Sequence, residues 1–317
     1  MLLRYAGRAH ALPMSEYDVV IIGGGAAGLS AALVLARARR RVAVIDAGAP
    51  RNAPAAHMHG FLSRDGLPPQ DLLTIGRTEV QSYGGELIDG RVTGVEPDTG
   101  AGFHVSLADG ATLRTRRILI ATGLRDELPD IPGVRERWGR DLLHCPYCHG
   151  YEVRDQPVAV LGGNPDAVAH AHLIRQWSAD LILFPHTDTL TADERHQLTV
   201  RDIGVVDGPV DRLVVTDDRL SGVELHDGRV IPRVAVFVRP VFVPNNGLLL
   251  TLGCAVGDRG WVVTDATGRT STHGVWAAGN AANPRAQVIT AAGEGSAAAI
   301  AINADLVNDD IRHATKN

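Results

Sequence analysis

Lysine is almost missing from this chain of 317 residues: of 31 cationic side chains only Lys316 is a lysine, next to the last residue. A pyridoxal Schiff base needs a lysine inside a folded core, and a P-loop needs one after its glycines. Both classes are therefore excluded. Cysteine is scarce as well, at Cys145, Cys148 and Cys254, too few for a secreted disulfide framework. No run approaches the ~18 apolar residues of a membrane span. The apolar stretch at the N-terminus is too short for a signal peptide. The cytoplasm is the expected location, and residues 1–13, which precede Met14, read as an extension from an upstream start. The formal charge of −5 offers neither a basic surface for nucleic acid nor an acidic tail. The length suggests about two domains, enough to bury a core without staples.

What is present begins with Tyr17-Asp-Val-Val-Ile-Ile22, a buried-strand run. Gly23-Gly-Gly-Ala-Ala-Gly28 follows, then an Ala-rich helix from Leu29 to Arg40, then the strand Arg41-Val-Ala-Val-Ile-Asp46. Strand, glycine turn, helix, strand and acid within about 30 residues form the dinucleotide fingerprint. Gly23 permits the tight turn, Gly25 lets the backbone approach a pyrophosphate, and Gly28 lets the helix pack on the strand. The N–H groups at the helix start, around Ala26 and Ala27, face the phosphates. Asp46, followed by Ala47, can accept from a ribose diol.

A second unit of the same shape starts at Gln156-Pro-Val-Ala-Val-Leu161, with Gly162-Gly-Asn-Pro-Asp-Ala167 and a helix to about Trp177. Here Asn164 replaces the second fingerprint glycine and Pro165 removes an N–H. After the next strand, Phe184-Pro-His-Thr-Asp188 has no acid at the strand end for a 2′-hydroxyl and no arginine for a 2′-phosphate. A nicotinamide-type fold with damaged binding chemistry is expected, which makes NAD(P)H doubtful.

His144-Cys145-Pro-Tyr-Cys148-His149-Gly150 carries the reactive chemistry. Two cysteines on the first turn of a helix can close a disulfide, and neighbouring histidines and the helix start favour thiolate. Half of a zinc site is the competing reading, but no second CxxC or HxxxH exists to complete it, so no metal is expected. Cys254 reads as a buried core thiol, and His170 and His172 as residues of a middle helix pointing in different directions.

Together these motifs, with Ala121-Thr122-Gly123, Ala277-Ala-Gly279-Asn280 and Gln287, resemble the low-molecular-weight thioredoxin reductase family of FAD flavoproteins. The resemblance runs from about Asp18 to Leu306. It implies an α/β protein with two Rossmann-like three-layer domains. A discontinuous FAD domain would cover 1–123 and 243–317, and an inserted NAD(P)-type domain with the CxxC would cover 124–242. It also implies a homodimer. By position, Cys148 would face the flavin and Cys145 the substrate, Gln287 and Val288 would offer N–H groups to the flavin edge, and Val92 would lie near the adenine. Three departures stand out: His149 replaces an acid, Asn280 replaces an Asp, and the arginine-bearing NADPH motif is missing.

The CxxC with His149-Gly150, and Arg51-Asn52 followed by His59-Gly60-Phe61-Leu62, are similar to the gliotoxin- and holomycin-type dithiol oxidases, a subgroup that works without NADPH. That resemblance implies oxidation of a dithiol through Cys145 and Cys148, with electrons passing to FAD and then to oxygen. His149 is the first choice of base, with a pKa expected near neutrality, and His144 the second. By the same analogy His59 lies over the flavin. A disulfide reductase driven by NAD(P)H or ferredoxin, with a thioredoxin-like partner, and a non-catalytic flavin redox sensor are the alternatives.

Overall fold

The computed structural model describes residues 16–99, 102–257 and 259–316. The extension expected at 1–13 lies outside them. The protein is a mixed α/β chain of two units with Rossmann-like sheets.

The first unit takes residues up to Pro50, Leu73–Gly123 and Pro244 onward. Its parallel strands are Glu86–Asp89, Val42–Asp46, Glu16–Ile22, Thr112–Ile120 and Val275–Ala277, neighbours in that order. Besides Glu16–Ile22, the long strand Thr112–Ile120 serves two more partners. Its second half pairs with Val275–Ala277, and its first half pairs antiparallel with Gly102–Leu107, which in turn pairs with Val92–Asp98. The β-branched runs in Glu16–Ile22 and Val42–Asp46 are buried on both faces, as a covered parallel sheet requires.

Small residues let two helices cross closely on this sheet. The helix Ala26–Arg37 packs against the long helix Val288–Ala314. A Cβ on Gly295 would stand 2.0 Å from the Ala27 carbonyl oxygen, so only glycine fits at the crossing. A buried ion pair ties the far end of that helix to the sheet. The Arg117 guanidinium, 3% exposed, donates to Asp305 at 2.7 Å and to Asp309 at 3.0 Å. Cys254 is buried beside Thr270, and Trp276 lies wholly inside the unit.

The second unit takes Arg51–Leu72 and Leu124–Val243. Its parallel sheet runs Gly204–Val205, Leu181–Phe184, Val158–Leu161, Ala235–Val238, Leu142–Leu143. An antiparallel meander of Val210–Thr216, Arg219–Leu225 and Val230–Pro232 completes it. Residues 51–72, expected with the first unit, group here because their contacts are here. Arg51 makes a two-pronged pair with Asp126 at 2.7 Å on each prong. Gly139 (φ +78°) has no room for a Cβ beside Pro54.

Candidate active site

The first glycine turn leaves the strand Glu16–Ile22 at Gly23, whose φ of +111° suits glycine. A Cβ there would meet the Ala121 carbonyl oxygen at 2.3 Å, and one on Gly28 would meet the Gly23 oxygen at 1.9 Å. Gly24, not singled out in the sequence, is equally constrained, since its Cβ would strike the Asp46 carboxyl at 2.6 Å. Gly25 differs: a Cβ there meets nothing within 4 Å. It caps the helix Ala26–Arg37 without a side-chain hydrogen bond, and the first N–H groups of a helix lack intrahelical partners. The result is an open, donor-rich cradle that a side chain would fill, and it fits a dinucleotide pyrophosphate.

Asp46 and Ala47 line a recess of about 250 Å³ together with Gly48, Asp89, Gly90 and Arg91. Val92 begins the adjoining strand. Asp46 also pairs with Arg77 at 3.2 Å, and Arg77 reaches Asp89 at 2.5 Å. Neither Arg77 nor Arg91 carries a sequence signal.

The other first-unit motifs are latched by residues the sequence left unremarked. Thr122 donates to the Asn245 carbonyl at 2.8 Å, the Asn245 side chain donates back to the Thr122 carbonyl at 2.9 Å, and Asn245 N–H reaches Gly123 at 3.0 Å. Glu294 accepts from Gly279 N–H at 2.9 Å and from Asn283 at 2.7 Å. The Asn280 amide donates to the carbonyls of Asn283 and Ala286. Gln287 caps the helix Val288–Ala314 with extended backbone and no side-chain cap.

In the second unit Cys145 and Cys148 are joined as a disulfide, with Cα atoms 5.2 Å apart. Cys145 is the N-cap and Pro146 the first residue of the one-turn helix Pro146–His149, the position where a missing N–H costs nothing. The N–H groups of Cys148 and His149 both donate to the Cys145 carbonyl at 3.1 Å. Gly150 lets this turn tuck against Trp177, whose ring would stand 2.9 Å from a Cβ. Tyr147 is exposed and meets the Trp177 ring edge-on. Among the described residues no cluster of three or more His, Cys, Asp or Glu side chains is placed to hold a metal ion.

The two histidines beside the cysteines differ. The His144 ring lies 3.2 Å by Nδ1 from the Val238 carbonyl and meets Phe242 edge-on, with the Arg51 guanidinium over the Phe242 ring. Burial, with the Arg51 cation adding to it, pushes His144 down to about 4. Behind it His170, 4% exposed, is 3.1 Å by Nε2 from the His144 carbonyl and is pushed down to about 3, again chiefly by burial. His149 was expected near neutrality. Burial instead holds it lower, while the Glu152 carboxylate pulls it up and His59 pushes it down. His59 lies in this unit, between Asp65 and Glu152. Asn52 accepts from Ala55 N–H through its carbonyl.

The second glycine turn holds an anion of its own. Gly162 is pressed against the Phe184 and Pro185 carbonyls. After the strand Leu181–Phe184 the chain reverses at His186 (φ +61°), whose ring accepts from Val210 N–H at 2.9 Å. That reversal carries Asp188 back to the turn. One carboxylate oxygen accepts from Gly163 N–H at 2.7 Å and Asn164 N–H at 3.0 Å. These donors stand where a dinucleotide pyrophosphate would sit.

Comparison with known proteins extends this geometry. The profile of the family described as pyridine nucleotide-disulphide oxidoreductase matches residues 17–295. The thioredoxin reductase sirT of Leptosphaeria maculans is 30% identical over 95% of this chain and 98% of its own length. The crystal structure of HlmI superposes with a TM-score of 0.92 at 59% identity, over 94% of this chain and 95% of that one. The structure of the putative thioredoxin reductase TrxB from Bacillus anthracis gives 0.88 at 35% identity, over 92% and 99%.

Proposed function

The chain belongs to the pyridine nucleotide-disulphide oxidoreductase family, and from that premise we propose that it oxidises a dithiol to a disulfide with oxygen as the final acceptor. It is a thioredoxin reductase-like thiol–disulfide oxidoreductase with FAD as its cofactor and Cys145–Cys148 as its redox pair.

The direction of electron flow is what the proposal adds, and Asp188 carries it. A nicotinamide dinucleotide needs the N–H groups of the second glycine turn for its pyrophosphate. The Asp188 carboxylate already takes two of them and adds a like charge. Pro165 supplies no further donor. Electrons then enter from the thiol side.

A substrate thiol gives its proton to His149, which burial favours as the neutral base. The thiolate attacks Cys145 Sγ, the Cys145–Cys148 bond breaks, and Cys148 leaves as a thiolate. The second substrate thiol then attacks the substrate sulfur of the mixed disulfide. Cys145 is released, and the electron pair stays on the cysteines. FAD, when bound, would supply the two-electron acceptor through which the cysteine disulfide is restored, with oxygen as the final acceptor. The first glycine turn, from Gly23 to Gly28, would hold its pyrophosphate and Asp46 its ribose. Val92 would lie near the adenine. Ala121 to Gly123, Gly279, Asn280, Gln287 and Val288 would hold the flavin end. His144, turned to Val238 and nearly always neutral, serves to fix the entry to the CxxC.

A homodimer in the cytoplasm is the proposed state, to be read from the native mass. Among the described residues no helix is long and apolar enough to cross a membrane. The relatives' names favour a second reading, a thioredoxin-type reductase driven by NAD(P)H. Anaerobic spectroscopy of the flavin-loaded protein decides between them. Bleaching by dithiothreitol, with recovery and peroxide on admitting air, is expected. Rapid bleaching by NADPH or NADH would overturn the proposal.

A further inference from the structure

The segment from His57 to Leu67 folds back on itself beside the CxxC helix. Gly66 N–H donates to the Met58 carbonyl at 2.9 Å, and Met58 N–H to Leu67 at 3.0 Å. Met58 is buried, and the His57 ring meets the Gly66 carbonyl at 3.0 Å. The turn needs left-handed backbone at Gly60, Ser63 and Gly66. This frame fixes His59 between two acceptors. Its Nδ1 is 3.3 Å from Asp65 Oδ2, and its Nε2 is 3.4 Å from Glu152 Oε1. Asp65 is anchored in turn, accepting from Gly60 N–H at 2.8 Å. Glu152 stands three residues beyond His149.

Exposure is greatest at the far end of this series, at Asp65. His149 is half-buried, the His59 side chain is 23% exposed, Glu152 44% and Asp65 66%. An imidazole with an acceptor at each nitrogen can take a proton on one side and release it from the other.

We propose that Glu152, His59 and Asp65 form a proton outlet that returns His149 to its neutral form after each thiol exchange. This rests on the thiol-exchange reading above. When a substrate dithiol opens the Cys145–Cys148 bond, two electrons pass to the cysteine sulfurs and the substrate sulfurs lose two protons. The proton taken by His149 passes to the Glu152 carboxylate and then to His59 Nε2. The Nδ1 proton moves to Asp65 and on to water. No electrons move in the relay. Glu152, His59 and Asp65 act through His149 and are positioning and relaying residues.

The charged neighbours that act on His149 are Glu152, which pulls its pKa up, and His59, which pushes it down. Removing each one therefore moves His149 in opposite directions through charge alone, so the relay itself is read from the plateau rate.

The test uses the flavin-loaded protein without oxygen. Opening of the Cys145–Cys148 disulfide by dithiothreitol is quenched, labelled and counted by mass, from about pH 5 to about pH 8, the range in which histidine titrates. Glu152→Gln is expected to shift the acid limb to lower pH, and His59→Asn to higher pH. His59→Asn is also expected to slow opening roughly tenfold at its plateau, a part of what general base catalysis is worth. A His59→Asn plateau rate that superposes on the unsubstituted protein, whatever the acid limbs and melting temperatures, overturns the outlet. Oxygen uptake with dithiothreitol is measured separately. If the unsubstituted protein takes up none, the oxidase reading fails, while the disulfide-opening comparison still decides the outlet.

Discussion

Acid exposes the two buried histidines behind the CxxC. In the unfolded chain both titrate near 6.5, but in the folded protein burial holds His144 at about 4 and His170 at about 3. The folded state refuses protons that the unfolded state accepts. Stability is therefore full above about pH 6.5 and falls as the pH drops toward the folded values. Each histidine contributes a slope of about 1.4 kcal/mol per pH unit in that window. Between about pH 7 and pH 5 the loss is on the order of 2 kcal/mol per histidine, about 4 kcal/mol for the pair. Asp305, Asp309 and Asp310 do not compete there. Burial pushes their carboxyls up, but the neighbouring arginines hold all three below the usual range, so their contribution is present above about pH 4 and lost only below it. The assay is urea unfolding across this range, followed by hydrogen exchange at the strand Val158–Leu161 of the same unit. His170→Gln keeps a donor for the His144 carbonyl and is expected to halve the slope. A flat profile from about pH 7 to pH 5, or an unchanged slope in the variant, refutes the reasoning.

Three further outcomes follow from the geometry. Gly25→Val places a side chain in the open cradle without an internal clash. It is expected to weaken FAD binding about a hundredfold or more, the worth of two charge-assisted hydrogen bonds, with the fold intact by circular dichroism. Asp188→Ala is expected to tighten NADPH binding, measured by equilibrium dialysis, by about a hundredfold or more. Two like charges about 4 Å apart cost roughly 4 kcal/mol at an effective dielectric of about 20. Arg117→Met leaves Asp305 and Asp309 without their buried partner and is expected to cost about 3–5 kcal/mol, read as a lowered melting temperature of the first unit.

The local parts of this protein are legible in its sequence, and the returning parts are not. The turn from Gly23 to Gly28 announces itself because each glycine answers a contact within one strand–helix unit or with the adjacent strand end. The disulfide is written in a three-residue spacing. Asp188, by contrast, reaches a turn 24 residues earlier through a left-handed His186 that no motif marks. The low pKa of His144 comes from burial, to which Phe242 and His170, distant in sequence, contribute by packing around the ring, with Arg51 adding to it and the Val238 carbonyl opposing it. His59 reads as a flavin residue by analogy alone, and its ion-pair partners Asp65 and Glu152 carry no motif, Glu152 coming from a segment 93 residues later. Asn245 and Glu294 give no signal because their work is to hold other residues' backbones.

The allocation of residues 51–72 also bears on how this protein can be cut and recombined. The redox unit is entered at Arg51, left after Leu72, entered again at Leu124 and left after Val243. It is therefore not a cassette. A gene fragment for 124–243 alone would keep the cysteines but lose Arg51 beside Asp126, Pro54 against Gly139, and His59 with Asp65. A graft onto another flavoprotein scaffold needs both segments exchanged together.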